Sequence, residues 1–305
     1  MPLSAVQNTF AGNPLDRASD RRADAAWLAE RLRDPASVVI ALRQGAPLVA
    51  GDPGAERLSR LPVSLAAELA RRPGEDLLFL GLEDGRAVFA LDVESAADPD
   101  FGPLAGRGRF EELRPLAMIL PGGEAAIAAT AKGVFEWQNR HRFCSACGQP
   151  SQGADGGWKR TCPSCRTDHF PRTDPVVIML AVHNGRCLVG RNAAWPAGRF
   201  SALAGFLEPG ETLEEACARE LKEEAGLETL SVAYHSSQPW PYPSSLMIGL
   251  IAEVSSAQAT PDQTELEEVR WLTREEAREV LAGRHEIQTP PPLAIAHQLL
   301  KSWAG

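Results

Sequence analysis

The sequence predicts a mixed α+β protein of about two domains with a small metal-held module between them, and three observations carry that expectation. The chain has 305 residues, enough for about two hydrophobic cores. Amphipathic helical stretches alternate with short apolar runs separated by turn dipeptides, the pattern of strands and helices that share a core. Four of the six cysteines fall in one short window, from Cys144 to Cys165. Composition is ordinary, with 44% hydrophobic and 23% charged residues, which excludes intrinsic disorder and a fibrous or low-complexity chain. The 31 Lys and Arg against 40 Asp and Glu give a formal charge of −9. That balance argues against a broad phosphate-tracking surface but leaves room for a local basic pocket.

No apolar run follows a basic start at the N-terminus, and no stretch approaches the length of a membrane span, so a soluble cytoplasmic protein with no membrane partner is expected. Residues 24–34 show helical periodicity, 37–50 read as two short strands around Gly45, and 75–93 as a hairpin turning at Asp84-Gly85. The Gly/Pro-rich stretch 98–109 reads as a linker, and the Ala-rich 122–143 as a helix leading into the cysteines. Beyond them, 174–191 reads as two strands turning at Asn184-Gly185 and 245–254 as a buried strand. Residues 265–283 read as a strand running into a helix, and 291–303 as a closing helix. The first third of the chain carries no chemical motif.

Cys144-Ser-Ala-Cys147 and Cys162-Pro-Ser-Cys165, with fourteen residues between them, form a paired C-x2-C arrangement. Each pair presents two thiolates from one tight turn, and two pairs complete a tetrahedral shell suited to Zn(II). Gly148 supplies the positive φ such turns need. Two disulfides, four unrelated thiols or a redox pair are the alternatives, against which the spacing and a reducing compartment weigh. Four Cys ligands leave no open position, so this zinc is expected to be structural.

Thr212 followed by Glu215 is a capping box, and Gly226 with Leu227 is a C-terminal stop, which bounds a helix of about fourteen residues. Within it Glu220, Glu223 and Glu224 stand at i, i+3 and i+4, three carboxylates on one face. Such an oxygen-only cluster suits Mg(II) or Mn(II); the plain alternative is a solvated acidic face. Arg219 can orient Glu223, and Glu211 in the preceding loop can hold Arg219. Downstream, Ser237-Gln238-Pro239-Trp240-Pro241-Tyr242-Pro243-Ser244-Ser245 has three alternate prolines, which predict an extended, rigid loop mounting Trp240 and Tyr242 for stacking on a base. Gln238, Ser244 and Ser245 can offer donors to phosphate or ribose. A purely structural loop is an equal reading of these residues alone.

Gly205, five residues, Glu211, seven residues, Arg219-Glu220-Leu221, one residue, Glu223-Glu224, one residue, Gly226-Leu227 resembles the Nudix box at every defining position. The later segment resembles the S-Q-P-W-P-F-P-x-S signature of the NADH pyrophosphatases, including those that remove NAD caps from RNA, with Tyr242 where Phe is usual. Ribbon, box and signature follow in that family's order, over roughly residues 110 to 305. The resemblance implies a Nudix fold, an α/β/α sandwich, with an inserted zinc ribbon and a degenerate Nudix-like N-terminal domain. The expected boundaries are 1–110, a linker helix over 111–140, the ribbon over 141–171 and the catalytic domain over 172–305.

The family's roles, carried over by position, imply Glu220, Glu224, Glu265 and the Ala204 carbonyl as ligands of a catalytic Mg(II) or Mn(II), with Glu223 sharing metals or acting as base. They imply substrate contacts at Phe206, Gln238 to Ser245, Phe170, Ala296 and Arg114. Phe170 stands where Tyr is common and Gly157 where some members have an acid. The implied activity is metal-dependent hydrolysis of the pyrophosphate of NADH or NAD+ to nicotinamide mononucleotide and AMP, in a homodimer. Alternatives are decapping of NAD-capped RNA at its 5′ end, action on ADP-ribose or a related nucleoside diphosphate derivative, and a non-catalytic nucleotide-binding module. Arg140, His141, Arg142, Lys159, Arg160 and Arg166 gather around the cysteines and are expected either to touch a few RNA nucleotides or to balance nearby acids.

Overall fold

Two mixed sheets built on one strand plan carry the chain, each in its own unit. A computed structural model describes residues 7–70, 77–93, 100–288 and 290–305. One unit comprises Phe10–Thr173 with Trp240–Ser244; the other comprises the described residues up to Thr9, Asp174–Pro239 and Ser245–Gly305.

In the N-terminal unit the strands are β1 (Val38–Arg43), β2 (Ala46–Ala50), β3 (Arg57–Leu58), β4 (Leu61–Pro62), β5 (Leu77–Glu83), β6 (Arg86–Val93) and β7 (Arg109–Phe110). Their order is β3-β2-β1-β6-β5, with β4 on β1 and β7 on β2; β1 and β6 run parallel. Asp84 and Gly85 both take positive φ, the conformation a two-residue hairpin turn demands. Ile40 and Leu42 are as fully buried as Val39 and Ala41, so β1 is covered on both faces, as a strand in a parallel pair must be. Helices α1 (Ala25–Arg31), α2 (Ser64–Leu69), α3 (Leu113–Leu116) and α4 (Glu124–Arg140) complete this part. The Asp24 carboxylate accepts the Trp27 N–H and so starts α1.

The stretch expected as a linker is structural over its described part. Leu104 is buried in the core, and Leu48↔Phe110 and Val49↔Arg109 pair β7 to β2. Glycine there serves packing: a Cβ on Gly108 would overlap the Val49 carbonyl. The same unit contains the ribbon, with strands β8 (Gln152–Ala154), β9 (Lys159–Thr161) and β10 (Asp168–His169) in antiparallel order β10-β9-β8.

The C-terminal unit has β11 (Asp174–His183), β12 (Arg186–Arg191), β13 (Leu203–Phe206), α5 (Leu213–Ala225), β14 (Thr229–Trp240), β15 (Ser245–Val254), β16 (Glu268–Thr273), α6 (Arg274–Leu281) and α7 (Ile295–Ala304). The order is β14-β15-β11-β12-β16, with β13 on β11 and β11 parallel to β15. Val177, Met179 and Leu188 meet Leu221 of α5 on one face, while Leu180, Cys187 and Val189 meet Val280 of α6 and Leu300 of α7 on the other. The sheet therefore lies between two helical layers, the α/β/α sandwich.

The two plans coincide. β1, β2, β4, α2, β5, β6 and β7 follow one another as β11, β12, β13, α5, β14, β15 and β16 do, with the same pairings and the same parallel central pair. The expected repeat is thus visible in topology, with no repeated residues to announce it.

Candidate active site

Thr212 Oγ1 accepts the Glu215 N–H while the Glu215 carboxylate accepts the Thr212 N–H, so α5 begins on a complete capping box. It stops at Gly226, in the left-handed region at φ 67°, where Leu227 N–H returns to the Leu221 carbonyl. These ends fix which residues face β13. Gly205 of β13 lies against the Glu220 carboxylate, and a Cβ there would overlap it.

Arg219 organises the acids. Its Nε and Nη2 grip both Glu211 oxygens at 2.6 and 2.9 Å, Nη2 also donates to the Phe206 carbonyl at 2.9 Å, and Nη1 donates to Glu220 at 2.8 Å and Glu223 at 3.1 Å. All five guanidinium protons are used, so the fork is fixed in its plane. The Glu211 carboxyl, held by Arg219 and by the Glu208 N–H, is pulled down to about 2.

Glu220 and Glu224 are both buried, one turn apart on α5. Burial, then the charges of Glu220, Glu265, Asp262 and Glu223, pushes the Glu224 carboxyl up to about 8. Burial raises Glu220 too, against the opposing pull of Arg219. Glu224 Oε2 is buried without a hydrogen-bond partner. A carboxylate left this way is costly unless protonated or matched by a cation, and every neighbouring donor is oxygen, so the set fits a hard divalent ion. Glu265 is exposed on a turn that Asp262 shapes by accepting the Glu265 and Leu266 N–H groups, and Asn192 donates to the Glu265 carbonyl at 2.7 Å. Ala204 sits on β13 opposite Ile178. Sequence reasoning missed Asp262 and Asn192; the Asp-x-x-Glu spacing of a side-chain-capped turn is the signal that could have found the first.

The segment 237–245 is no extended loop. β14 continues through Trp240, Tyr242 N–H bonds the Trp240 carbonyl at 2.8 Å, and β15 begins at Ser245, which makes it a tight hairpin end. Gln238, expected to face phosphate or ribose, is 1% exposed. Its amide nitrogen donates to the Thr9 and Leu293 carbonyls and its oxygen accepts the Ile295 N–H, so it anchors the start of α7. Trp240 and Tyr242 meet edge to face at 5.3 Å, Phe10 packs edge-on against both, and the Arg114 guanidinium lies 5.1 Å from each ring centre. Lys132 Nζ adds a second cation 5.4 Å from Tyr242. Pro239 and Pro243 are exposed, Pro241 is buried, and Ser244 and Ser245 are half-buried. Phe206 and Phe170 are exposed, while Ala296 is buried in the first turn of α7.

In the ribbon, Cys144 Sγ stands 3.6 Å from Cys165 Sγ and Cys147 Sγ 3.5 Å from Cys162 Sγ, and all four lie within 4.8 Å of one another. A tetrahedron of sulfurs about 2.3 Å from zinc has edges of about 3.8 Å, so the set fits. Among the described residues it is the one group of three or more such side chains this close. Gly148 (φ 74°) and Arg166 (φ 62°) each follow the second cysteine of a pair and turn their knuckles alike. Hydrogen bonds from Thr167 hold the Cys165 thiol down to about 6, toward the thiolate, and His169 Nε2 lies 3.3 Å from Cys144 Sγ.

The basic residues around the ribbon divide. Arg160 is buried on the Ser151 hydroxyl and carbonyl, Lys159 pairs with Asp155 and Asp168, and Arg140 pairs with Glu136, all inside the fold's own bookkeeping of charge. Gly157, in place of an acid, is required by packing: its φ is +93°, and a Cβ would come within 3.0 Å of Gln138 and Leu78.

Three family models match the chain in succession: an NADH pyrophosphatase-like rudimentary NUDIX domain over residues 36–137, an NADH pyrophosphatase zinc ribbon domain over 139–170, and a NUDIX domain over 171–292. The chain is 38% identical to the NAD-capped RNA hydrolase NUDT12 of Macaca fascicularis, over 99% of this chain and 74% of that protein. It is 36% identical to the NAD-capped RNA hydrolase NudC of Mycobacterium bovis, over 91% and 92%. A NUDIX hydrolase structure from Nitrosomonas europaea is 25% identical over 53% of this chain and 90% of that one, with a TM-score of 0.41. Among the described residues no helix is long and apolar enough to cross a membrane. The chain belongs to the Nudix hydrolases, in the zinc-ribbon NADH pyrophosphatase family.

Proposed function

We propose that the protein hydrolyses the pyrophosphate of NADH or NAD+ to nicotinamide mononucleotide and AMP, and removes NAD caps from RNA by the same chemistry. The observation that carries the reading is Glu224, a buried carboxylate with an unpartnered oxygen, facing Glu220 on a helix clamped by Arg219. The second activity is favoured by the relatives, which are named as NAD-capped RNA hydrolases.

Glu220 and Glu224 would hold the catalytic ion, with Glu265 and the Ala204 carbonyl completing the set. Bound Mg(II) or Mn(II) supplies charge neutralisation on the pyrophosphate and a water acidic enough to attack phosphorus. Arg219 keeps Glu220 at its post, and Glu223, 61% exposed and tied to one Arg219 proton, takes the proton of the attacking water. Water oxygen bonds to one phosphorus, the bridging P–O bond breaks, and each product leaves with one phosphate. In the C-terminal unit Phe206 would line the nucleotide, with Gln238 and Ala296 in the wall behind it. Structural Zn(II), free thiols consistent with a reducing cytoplasm, and a homodimer complete the reading.

Product analysis with NADH, NAD+, ADP-ribose and NAD-capped RNA, in Mg(II) or Mn(II), tests it. Mononucleotide products from the dinucleotides and a monophosphate 5′ end on the RNA are expected; no cleavage of any NAD form overturns it.

A further inference from the structure

The last carbonyls of α5 are taken by the segment that carries Glu265. Thr260 N–H bonds the Ala225 carbonyl at 2.9 Å and Asp262 N–H the Glu224 carbonyl at 3.1 Å, at the helix end where such groups have no partner within the helix. Asp262 then turns its carboxylate back on its own chain. One oxygen accepts Leu266 N–H at 2.9 Å, and both accept Glu265 N–H, at 3.2 and 3.1 Å. A single residue thus spans from the backbone of Glu224 to the backbone of Glu265.

The far side of the turn is fastened separately. Asn192, just beyond β12, donates to the Glu265 carbonyl at 2.7 Å, while its amide oxygen accepts Ala194 N–H at 2.9 Å. Glu267 N–H bonds the Arg191 carbonyl at 3.0 Å, the Arg191 guanidinium pairs with Glu267, and Gln263 N–H closes the turn on the Leu266 carbonyl at 3.0 Å. The Glu265 backbone is therefore held at both its N–H and its carbonyl, although the residue is exposed. Of residues 261–267 only Leu266 is buried in the core, so polar ties and not packing set where Glu265 stands.

We propose that Asp262 is a positioning residue: it ties Glu265 to the end of α5, so that the Glu224 and Glu265 carboxylates are offered to the catalytic ion as a preset pair. The inference rests on the reading of these two acids as ligands of Mg(II) or Mn(II) given above. A glutamate on a free turn loses backbone and side-chain freedom when it binds an ion; on a turn already fixed, only the side chain has freedom left to lose. The ties also join the two ligands, because a displacement of the end of α5 carries Glu265 along with Glu224. What Asp262 contributes is an acceptor rather than a charge, since Oδ1 alone takes both N–H groups.

Mn(II) binding to the full zinc-loaded chain, read by loss of the free-ion paramagnetic resonance signal, tests this alongside steady-state NADH hydrolysis. Asp262→Ala should weaken Mn(II) binding about tenfold or more and shift the metal dependence of turnover by the same factor. Asp262→Asn, which keeps the acceptor oxygen, should restore most of the affinity. In a Glu265→Gln background Asp262→Ala should add little further loss, because it acts through Glu265. Asn192→Ala, which cuts the tie on the other side, should behave alike and keeps the test valid if Asp262→Ala fails to fold. Additive losses, or Asp262→Asn binding as weakly as Asp262→Ala, overturn the positioning role, and so does wild-type affinity in Glu265→Gln. Asp262-dependent Mn(II) binding in a chain that cleaves no NAD form supports it while the proposed function fails.

Discussion

The Glu220 carboxylate occupies the space that a side chain on Gly205 would need. A strand glycine and a helix acid are thereby locked together: the acid reaches the β13 backbone because the glycine has no Cβ. Gly205→Ala is expected to displace Glu220 and weaken Mg(II) or Mn(II) affinity about 10–100-fold, the range for losing a partner that orients a ligand. Metal titration of activity checks it, and an unchanged metal dependence would dismiss the coupling.

Arg219 makes five hydrogen bonds that an ammonium cannot reproduce. Arg219→Lys should keep the charge but lower kcat on NADH about tenfold or more, through misplaced Glu220 and Glu223. Steady-state kinetics at saturating metal decide, with wild-type turnover as the outcome that refutes the clamp.

Glu224 makes stability depend on pH in the metal-free protein. Its folded pKa of about 8 lies above the ordinary 4.5, so the folded state binds the proton more tightly than the unfolded state. Stability is therefore full below about 4.5 and declines as pH rises through 8, by on the order of 1 kcal/mol per pH unit. Zinc-loaded protein without Mg(II) or Mn(II) should melt lower at pH 8.5 than at pH 6. Mg(II) should restore the loss, and Glu224→Gln should flatten the difference. A wild type and a Glu224→Gln variant with the same pH slope would contradict this.

The four ribbon thiols lie at zinc spacing in a module whose three strands have two or three residues each. Zinc here supplies what so small a core cannot. Chelation or Cys144→Ser should lower Tm sharply and release one zinc per chain by colorimetric assay. A melting curve indifferent to chelator counts against a structural metal.

How much of this was legible in the sequence depended on whether the signal was local. The ends of α5, the turns at Asp84-Gly85 and Asn184-Gly185 and the cysteine knuckles are set by residues within a few positions of one another, and the sequence displays them. Gln238 read as a donor for phosphate or ribose, and Arg160 as either a nucleotide contact or a balance for nearby acids, because their partners, Leu293 and Ser151, are chosen by folding. The alternate prolines of 239–243 suggested extension, but β14 runs into them and the chain turns back. Stretch 98–109 looked like a linker because its glycines, which permit close approach to β2, have the same composition as flexible chain. Asp262 gave a short-range signal, yet its importance lies in the neighbour it positions, Glu265.

The six residues of α2 rise about 9 Å, against about 20 Å for the thirteen of α5. The clamp and its acids, Arg219 to Glu224, take six residues, and in α5 six more, Leu213 to Ala218, lead into them from the capping box. On α2 the six would use the whole helix, which puts the arginine in a first turn whose backbone N–H groups have no partners within the helix. The N-terminal repeat is thus short of the turns that hold such acids in place, and not only of the acids.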